Sequence, residues 1–434
     1  MNMAPAGDRA LLVELGEVTA AELHAAAARV RALPGVAACI PGHSSLYVIC
    51  DGAPAVQPIR EAVEAIDAAG DATAAPGRLH RIRVQFDGPD LPELLARVRR
   101  EDFLARIPTL RLTARYLGFR GGFAYLDGWP DEWAMPRRPT SRPVERGTFA
   151  IAGNVAGFYP IDTPGGWNLL GHTDAELEHV FRPGDEIVLE AGEVAGRPPR
   201  KPKEVARSAY AELIASPLVR IVTAPDWTNL ERGLPAGGPF DDVAAAIAGR
   251  AVEGNVELWE CAMSGPRLRF HRDAVTAWCG PGLDVRVQRV RAGEELAIGR
   301  IAGGLRGYLA IGEREGVVAA SARGERHVIG VRPGPHDTGL REVLCEVTPQ
   351  LDRVGIRLRP LQPIDVEVPA SLRSIGMQCG TVQLHPDGSL VAMGPDHPVT
   401  GGYLQPMTVI ASERWKLAQL TPGERVVLKA QPPY

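Results

Sequence analysis

The 434-residue chain reads as a mainly β protein with a small α+β unit at its N-terminus and two related, barrel-like halves. Three observations carry that reading. Helical spacing of apolar residues is concentrated near the N-terminus, short apolar runs between glycines fill much of the rest, and one set of motifs recurs in the same order in both halves. The 48 glycines and 38 prolines are spread along the chain, as many short strands joined by turns require. A hydrophobic content of 45% over this length supplies two or three well-buried cores.

RALLVEL (residues 9–15) reads as a strand, TAAELHAAAARVRAL as an Ala-rich helix, SLYVICD as a second strand and IREAVEAIDAA as a second helix, giving an α+β unit over residues 1–80. RIRVQFDG opens a further layer, residues 81–194, followed by LPELLARVRR, helical in pattern and ending near Arg99 and Arg100. YLGFRGGFAYLDGWP, TFAIAGNVAGFYPIDTPGGW and DEIVLEAGE then carry turn signals dense enough for a barrel or sandwich. Residues 195–217 form the candidate linker: AGRPPRKPKE is rich in proline and base, and RSAYAELIA continues it as a short helix. LVRIVTAP begins the second half, residues 218–434, a β-rich stretch through VELWECAM, RLRFH, AVTAWCGPG and DVRVQRVRAG, in which DVRVQRVRAG and the EELAIG run alternate at nearly period two and suit a second barrel.

The net charge of −4, from 48 basic and 52 acidic residues, sets up no strong field toward nucleic acid or an anionic membrane, so a small or neutral partner is expected. The six cysteines are scattered, with no CxxC pair and no cluster at metal-ligand spacing. With no signal-peptide pattern and no run of eighteen apolar residues, the expectation is a cytoplasmic, soluble protein with free thiols and no metal.

The repeat is specific. Gly147-Thr148-Phe149-Ala150-Ile151 leads to Gly165-Gly166-Trp167 and then to PGDEIVL at 183–189. Gly380-Thr381-Val382-Gln383-Leu384 leads to Gly401-Gly402-Tyr403 and then to PGERVVL at 422–428. Paired glycines permit positive φ or a close approach, and the aromatic that follows offers a flat face. Each segment is either a ligand site or a strand-crossing turn whose ring plugs a barrel.

These residues bring a family into view. GDRALLVELGE, PGVAACIPGHSSLYV, YLGFRGGFAYLDG, GTFAIAGNVAGFYPIDTPGGWNLLGHT and FRPGDEIVL resemble subunit 1 of the allophanate hydrolase-type family, also known as the B component of 5-oxoprolinase and as a kinase-inhibitor family. GLRGYLAIG, VTPQLDRVGIRL, CGTVQLHPDGSLVAMGPDHPVTGGY and LAQLTPGERVVL resemble its companion, subunit 2 or the C component of 5-oxoprolinase. The resemblance implies cyclophilin-like β-barrels around a shared cleft, here fused within one chain, with homo-oligomer formation open to it. It also implies ATP-dependent opening of a small amide substrate, 5-oxoproline, to glutamate with a separate lactam-utilisation-type third subunit. Two alternatives stay open: carboxyl transfer from carboxybiotin, as in urea carboxylase, and regulation of a sensor kinase. The chain departs from the family pattern at Gly121, where a proline is usual, at His172, where an arginine is usual, and after Gly312, where the segment is shorter.

Opening a lactam with ATP, assisted by Mg, calls for phosphate-binding donors and for groups that position the amide oxygen or a water. No Walker motif is present. The GFRGGF loop, with Gly118, Arg120, Gly121 and Gly122, is the candidate phosphate cradle, or else a plain hairpin loop. Asp396 and His397, just before the second glycine pair, are the candidate catalytic base and orienter. Tyr116, Gly165, Gly166, Trp167, His172, Arg353, Gly401, Gly402 and Tyr403 are the candidate substrate-binding residues, with Arg353 able to grip a carboxylate bidentately or to form a surface salt bridge.

Overall fold

A computed structural model describes residues 1–65, 77–200, 208–215, 218–318, 322–369 and 372–432. The N-terminal unit is a four-stranded antiparallel sheet in the order Asn2–Pro5, Ala10–Glu14, Ser45–Cys50, Val36–Pro41, with helices Ala20–Arg31 and Val56–Glu64. The first helix starts at a capping box: Thr19 Oγ1 accepts from Glu22 N at 3.2 Å and the Glu22 carboxylate accepts from Thr19 N at 2.7 Å. The strand Ala10–Glu14 is buried on both faces. Leu11 and Val13 share a core with Leu23, Ala27 and Val30 of the first helix. Ala10 and Leu12, pointing the other way, pack with Tyr47, Leu230, Ile375 and Val399, so the sheet is bonded to the second half of the chain.

The first barrel has seven strands: Leu79–Val84, Leu112–Gly118, Phe123–Asp127, Thr148–Ala152, Val155–Phe158, Asn168–His172 and Glu186–Ala191. The second has Val328–Pro333, Glu342–Leu351, Gly355–Pro360, Thr381–Leu384, Leu390–Met393, Leu404–Val409 and Arg425–Ala430. Numbered by position within each barrel, both follow the order sixth, fourth, fifth, third, second, seventh, first, and both pair the first and seventh strands in parallel. The second barrel closes through its first and sixth strands, Val331 opposite Val409. The first closes at the same place through one antiparallel bridge, in which Gln85 and His172 exchange backbone hydrogen bonds of 2.9 Å. The motif repeat is thus a repeat of topology.

Between the barrels in sequence lies a five-stranded antiparallel sheet, Val219–Val222, Glu257–Ala262, Arg306–Gly312, Ala274–Cys279, Val285–Val290, packed against helix Asp242–Arg250. Beside it is a three-stranded sheet, Ala211–Ala215, Arg267–Phe270, Glu295–Ala297. The strands expected to form a second barrel at VELWECAM and AVTAWCGPG belong to this open sheet, and the barrel begins only at Val328. RSAYAELIA is also corrected: AELIA is a strand because pairing with Arg267–Phe270 outweighs the helical preference of its Ala, Glu and Leu. LPELLARVRR divides into two short helices, Leu91–Leu95 and Arg100–Arg106. Part of the candidate linker, 201–207 and 216–217, lies outside the described residues, as does the end of IREAVEAIDAA. Among the described residues no helix is long and apolar enough to cross a membrane.

Candidate functional site

The two halves meet at the GFRGGF loop. Phe119, Gly121 and Gly122 take positive φ of 55, 61 and 75°, which reverses the chain between the second and third strands of the first barrel. Phe119 N donates to Thr400 Oγ1 at 3.1 Å, and Val399 N donates to Phe119 O at 3.2 Å. A Cβ on Gly118 would lie 1.9 Å from Thr400 Oγ1, so glycine is required by the approach of the second half. The space over Gly121 is held by Pro160 and Ile161 at 3.2 Å, and that over Gly122 by Arg232 O at 3.3 Å. The loop is therefore a docking element packed on protein atoms, and it does not fit an open cradle for phosphate. Arg120 stands apart from this: no described residue hydrogen-bonds its side chain, and it faces Asp352 and Asp396 while burial lowers its pKa.

The first glycine pair is held by the strand Thr163–Gly165, paired with Arg142–Val144, and by Arg138 N donating to Gly166 O at 2.8 Å. A Cβ on Gly165 would lie 2.1 Å from Tyr159 Oη, and one on Gly166 would lie 3.2 Å from Arg137 Nε. Trp167 meets Phe123 and Tyr125 edge-on at 5.1 and 5.6 Å, and Tyr125 stacks on Tyr116 at 4.3 Å. Tyr116 is buried in this aromatic wall, and burial raises its pKa well above the phenol value. Ser374, from the second half, sits beside the hydroxyls of both Tyr116 and Tyr125.

The second glycine pair mirrors the first. Thr400–Gly401 pairs with Ile375–Gly376, a Cβ on Gly401 would meet Met377 Cε at 2.6 Å, and one on Gly402 would meet Leu372 O at 2.7 Å. The Tyr403 ring stacks on His385 at 4.1 Å, and the Arg137 guanidinium lies over the same ring at 4.8 Å. Arg137 Nη2 donates to Tyr403 Oη at 2.9 Å. One arginine thus touches the segments of both glycine pairs. Burial lowers the His385 pKa to about 4, and its buried Nε2 has no hydrogen-bond partner, so a neutral imidazole stands at the mouth of the second barrel.

The remaining expected residues lie elsewhere. Asp396 is not a free base: Arg353 Nε and Nη2 donate to its two oxygens at 3.0 and 2.8 Å, and Arg220 Nη1 adds a third contact at 2.5 Å. Burial alone would raise its pKa, but these arginines outweigh burial and hold it below the carboxylate range. Arg353 spends its fork on this chain's own acids, since its Nη1 also reaches both oxygens of Glu260 at 2.8 Å. Glu260 in turn accepts from Tyr308 Oη at 2.8 Å and Phe240 N at 2.9 Å, and lies 3.5 Å from Arg306 Nε. His397 is buried, its Nδ1 2.7 Å from Pro398 O, and burial lowers its pKa to about 4. His172 completes the first barrel's closure and pairs through Nδ1 with Asp87 at 2.9 Å.

Sequence reasoning missed Arg137, His385, Tyr125, Tyr159 and Thr400. A signal existed for His385: it follows GTVQL where the first copy, after GTFAI, has Ala152, so a polar residue replaces a small apolar one inside the repeat. A cavity of about 330 Å³ lined by Pro281, Arg323 and Trp415 is separate from these groups.

Two seven-stranded barrels of one topology, docked through a glycine-bearing loop, define a two-half scaffold with polar groups at the junction. Residues 1–186 match the model for the carboxyltransferase domain, subdomain C and D, and residues 232–324 and 317–430 match that for subdomain A and B. The chain is 31% identical over 214 residues to the B component of 5-oxoprolinase from Bacillus subtilis, covering 43% of this chain and 88% of that protein. With the same component from Escherichia coli O157:H7 it shares 30% over 174 residues, 36% of this chain and 78% of that one. A putative urea carboxylase of Emericella nidulans is 26% identical over 286 residues, 47% of this chain and 23% of that protein. The crystal structure of TTHA0988 superposes with a TM-score of 0.79 at 25% identity, covering 98% of this chain and 100% of that one. The chain belongs to the carboxyltransferase-domain family, and its first half is a relative of the 5-oxoprolinase B component.

Proposed function

We propose that this chain is the two-barrel component of an ATP-dependent 5-oxoprolinase-type amidohydrolase, which takes the lactam into the junction between its barrels and works with a lactam-utilisation-type third subunit. The observation that supports the reading best is the convergence of both glycine-pair segments on one polar junction, where Arg137 bridges to Tyr403 and a neutral His385 lies against the same ring. Trp167, half-buried beside the aromatic wall, supplies apolar surface for a small ring. His385 Nε2, unpartnered and neutral, is suited to accept a hydrogen bond from a water or from the substrate amide, and replaces Asp396 as the proposed orienting group. Phosphates of ATP are not assigned to the loop 118–122, whose glycines face protein atoms. The reading also places the chain in the cytoplasm, where its free cysteines remain thiols.

Glutamate release from 5-oxoproline and ATP, measured with the purified chain and with the third subunit added, tests this. Turnover that needs both proteins and falls at least tenfold in Gly166→Val is the expected result, since even the first carbon of a side chain there would press on Arg137 Nε. Carboxyl transfer from carboxybiotin is the second reading, favoured by both family models. Absence of glutamate release together with carboxylation of urea in the presence of carboxybiotin would replace the first reading by the second.

A further inference from the structure

Three arginines of the segment 137–142 converge beside the first glycine pair, and two of them are neutralised. Arg138 Nη2 donates to Asp90 Oδ1 at 2.8 Å and to Glu93 Oε2 at 2.9 Å, and Arg142 pairs with the other oxygen of Asp90. Asp90, buried, also accepts from Leu169 N at 2.7 Å, so its acceptor sites are occupied by its own neighbours. Arg137 has no carboxylate partner among the described residues. Its side-chain hydrogen bond goes to the Tyr403 hydroxyl, and its Nε is buried with no partner at all.

The groups around Arg137 carry no negative charge to match it. Tyr125 and Tyr159 are near enough for its charge to pull their pKa values down, yet burial dominates and keeps both phenols protonated. His385 is neutral. A guanidinium half-withdrawn from water with an empty donor and no counter-ion is an incomplete ion pair, and a planar carboxylate matches the donors that remain. Gly166 packs closely against this side chain, since a Cβ there would stand 3.2 Å from Nε.

We propose that Arg137 is the anchor for a carboxylate on the substrate, and so selects lactams bearing an acid group over plain lactams. This rests on the reading of the junction as a lactam site. The aromatic wall holds the ring while Arg137 fixes its orientation by the acid, and Tyr403 holds the guanidinium in place from the second half.

The test is calorimetric titration of the full chain with 5-oxoproline and with 2-pyrrolidinone, the same ring without the carboxylate. The wild type is expected to bind 5-oxoproline ten- to a hundredfold more tightly, and Arg137→Gln to lose that preference while binding 2-pyrrolidinone as before. Tyr403→Phe removes the hydrogen bond but keeps the guanidinium, and is expected to retain the preference; this separates anchoring from a merely structural bridge. Unchanged discrimination in Arg137→Gln overturns the anchor and leaves the lactam reading standing. Binding of neither ring, with the third subunit present, overturns both. Binding of inorganic phosphate but not 5-oxoproline, lost in Arg137→Gln, overturns the carboxylate assignment in favour of a phosphate site.

Discussion

Gly118 offers the sharpest test of how the two halves are joined. In Gly118→Ala the new methyl would stand 1.9 Å from Thr400 Oγ1, 2.7 Å from Cγ2 and 2.8 Å from Cβ, so Thr400 must move by more than an ångström. That overpacking costs about 1–3 kcal/mol, and displacement of Oγ1 from Phe119 N removes a hydrogen bond worth about 1 kcal/mol. Thr400→Ala alone leaves the Phe119 N–H without its acceptor, a loss of about 1–3 kcal/mol. In the double variant the two closest atoms are gone, and the nearest remaining contact is the 2.8 Å one to Cβ. The pair is therefore expected to be more stable than the sum of the singles by about 1–2 kcal/mol, a coupling measurable in a double-mutant cycle from urea unfolding. Additive effects, or Gly118→Ala at wild-type stability, would refute the claim that this glycine exists for the approach of Thr400.

Other outcomes follow from the same contacts. Burial holds His385 and His397 at pKa values of about 4, below the ordinary 6.5, so the unfolded chain takes up protons between pH 6.5 and 4 that the folded chain refuses, and stability falls as pH drops through that window. Each contributes about 2 kcal/mol of loss by pH 4.5, and His397→Gln is expected to flatten the urea midpoint against pH accordingly. Asp396, held below the carboxylate range, adds its own loss only at lower pH, as it is protonated. Glu260→Ala leaves Arg306, 3% exposed at its side chain, without its carboxylate and takes one of two acids from Arg353, which keeps Asp396; it is expected to cost about 3–5 kcal/mol, with Glu260→Gln costing less, and a loss under 1 kcal/mol would refute the role given to this ion pair.

The parts of the fold legible in sequence are those with a local or repeated signal. Ala content and apolar spacing mark the first helix, and the recurrence of GT, GG-aromatic and PG-acid motifs anticipates two barrels whose strand orders agree. Alternation in DVRVQRVRAG reports a half-buried strand but not whether a sheet closes, which is why the pattern suits a barrel where the structure has an open sheet. The glycine pairs are legible as places of close approach, yet what approaches them, Tyr159 and Arg137 in one case and Met377 in the other, is set by tertiary packing. Asp396 looks available in sequence because its partners are distant: Arg220 lies 176 positions away and Arg353 43. Arg137 is invisible for the same reason, being 266 positions from the tyrosine it bonds.

The junction is framed by a third body as well as by the two barrels. Arg115 of the first barrel donates from Nε to His43 O at 2.6 Å and from Nη2 to Val18 O at 2.5 Å, while its own carbonyl lies 2.5 Å from His24 Nε2, all within the N-terminal unit. That same unit reaches the second barrel: Gly7 N donates to Pro333 O at 3.0 Å, Gln378 Nε2 donates to Ala6 O at 3.0 Å, and Asp8 accepts from Ala411 N. The sheet that carries Leu12 and Tyr47 therefore spans both barrels with buried apolar contact on one side and polar ties at its ends. A junction fixed on two sides, by this sheet and by the loop at Gly118, holds Arg137, Tyr403 and His385 in register, and under the proposed lactam reading such preorganisation lowers the cost of binding.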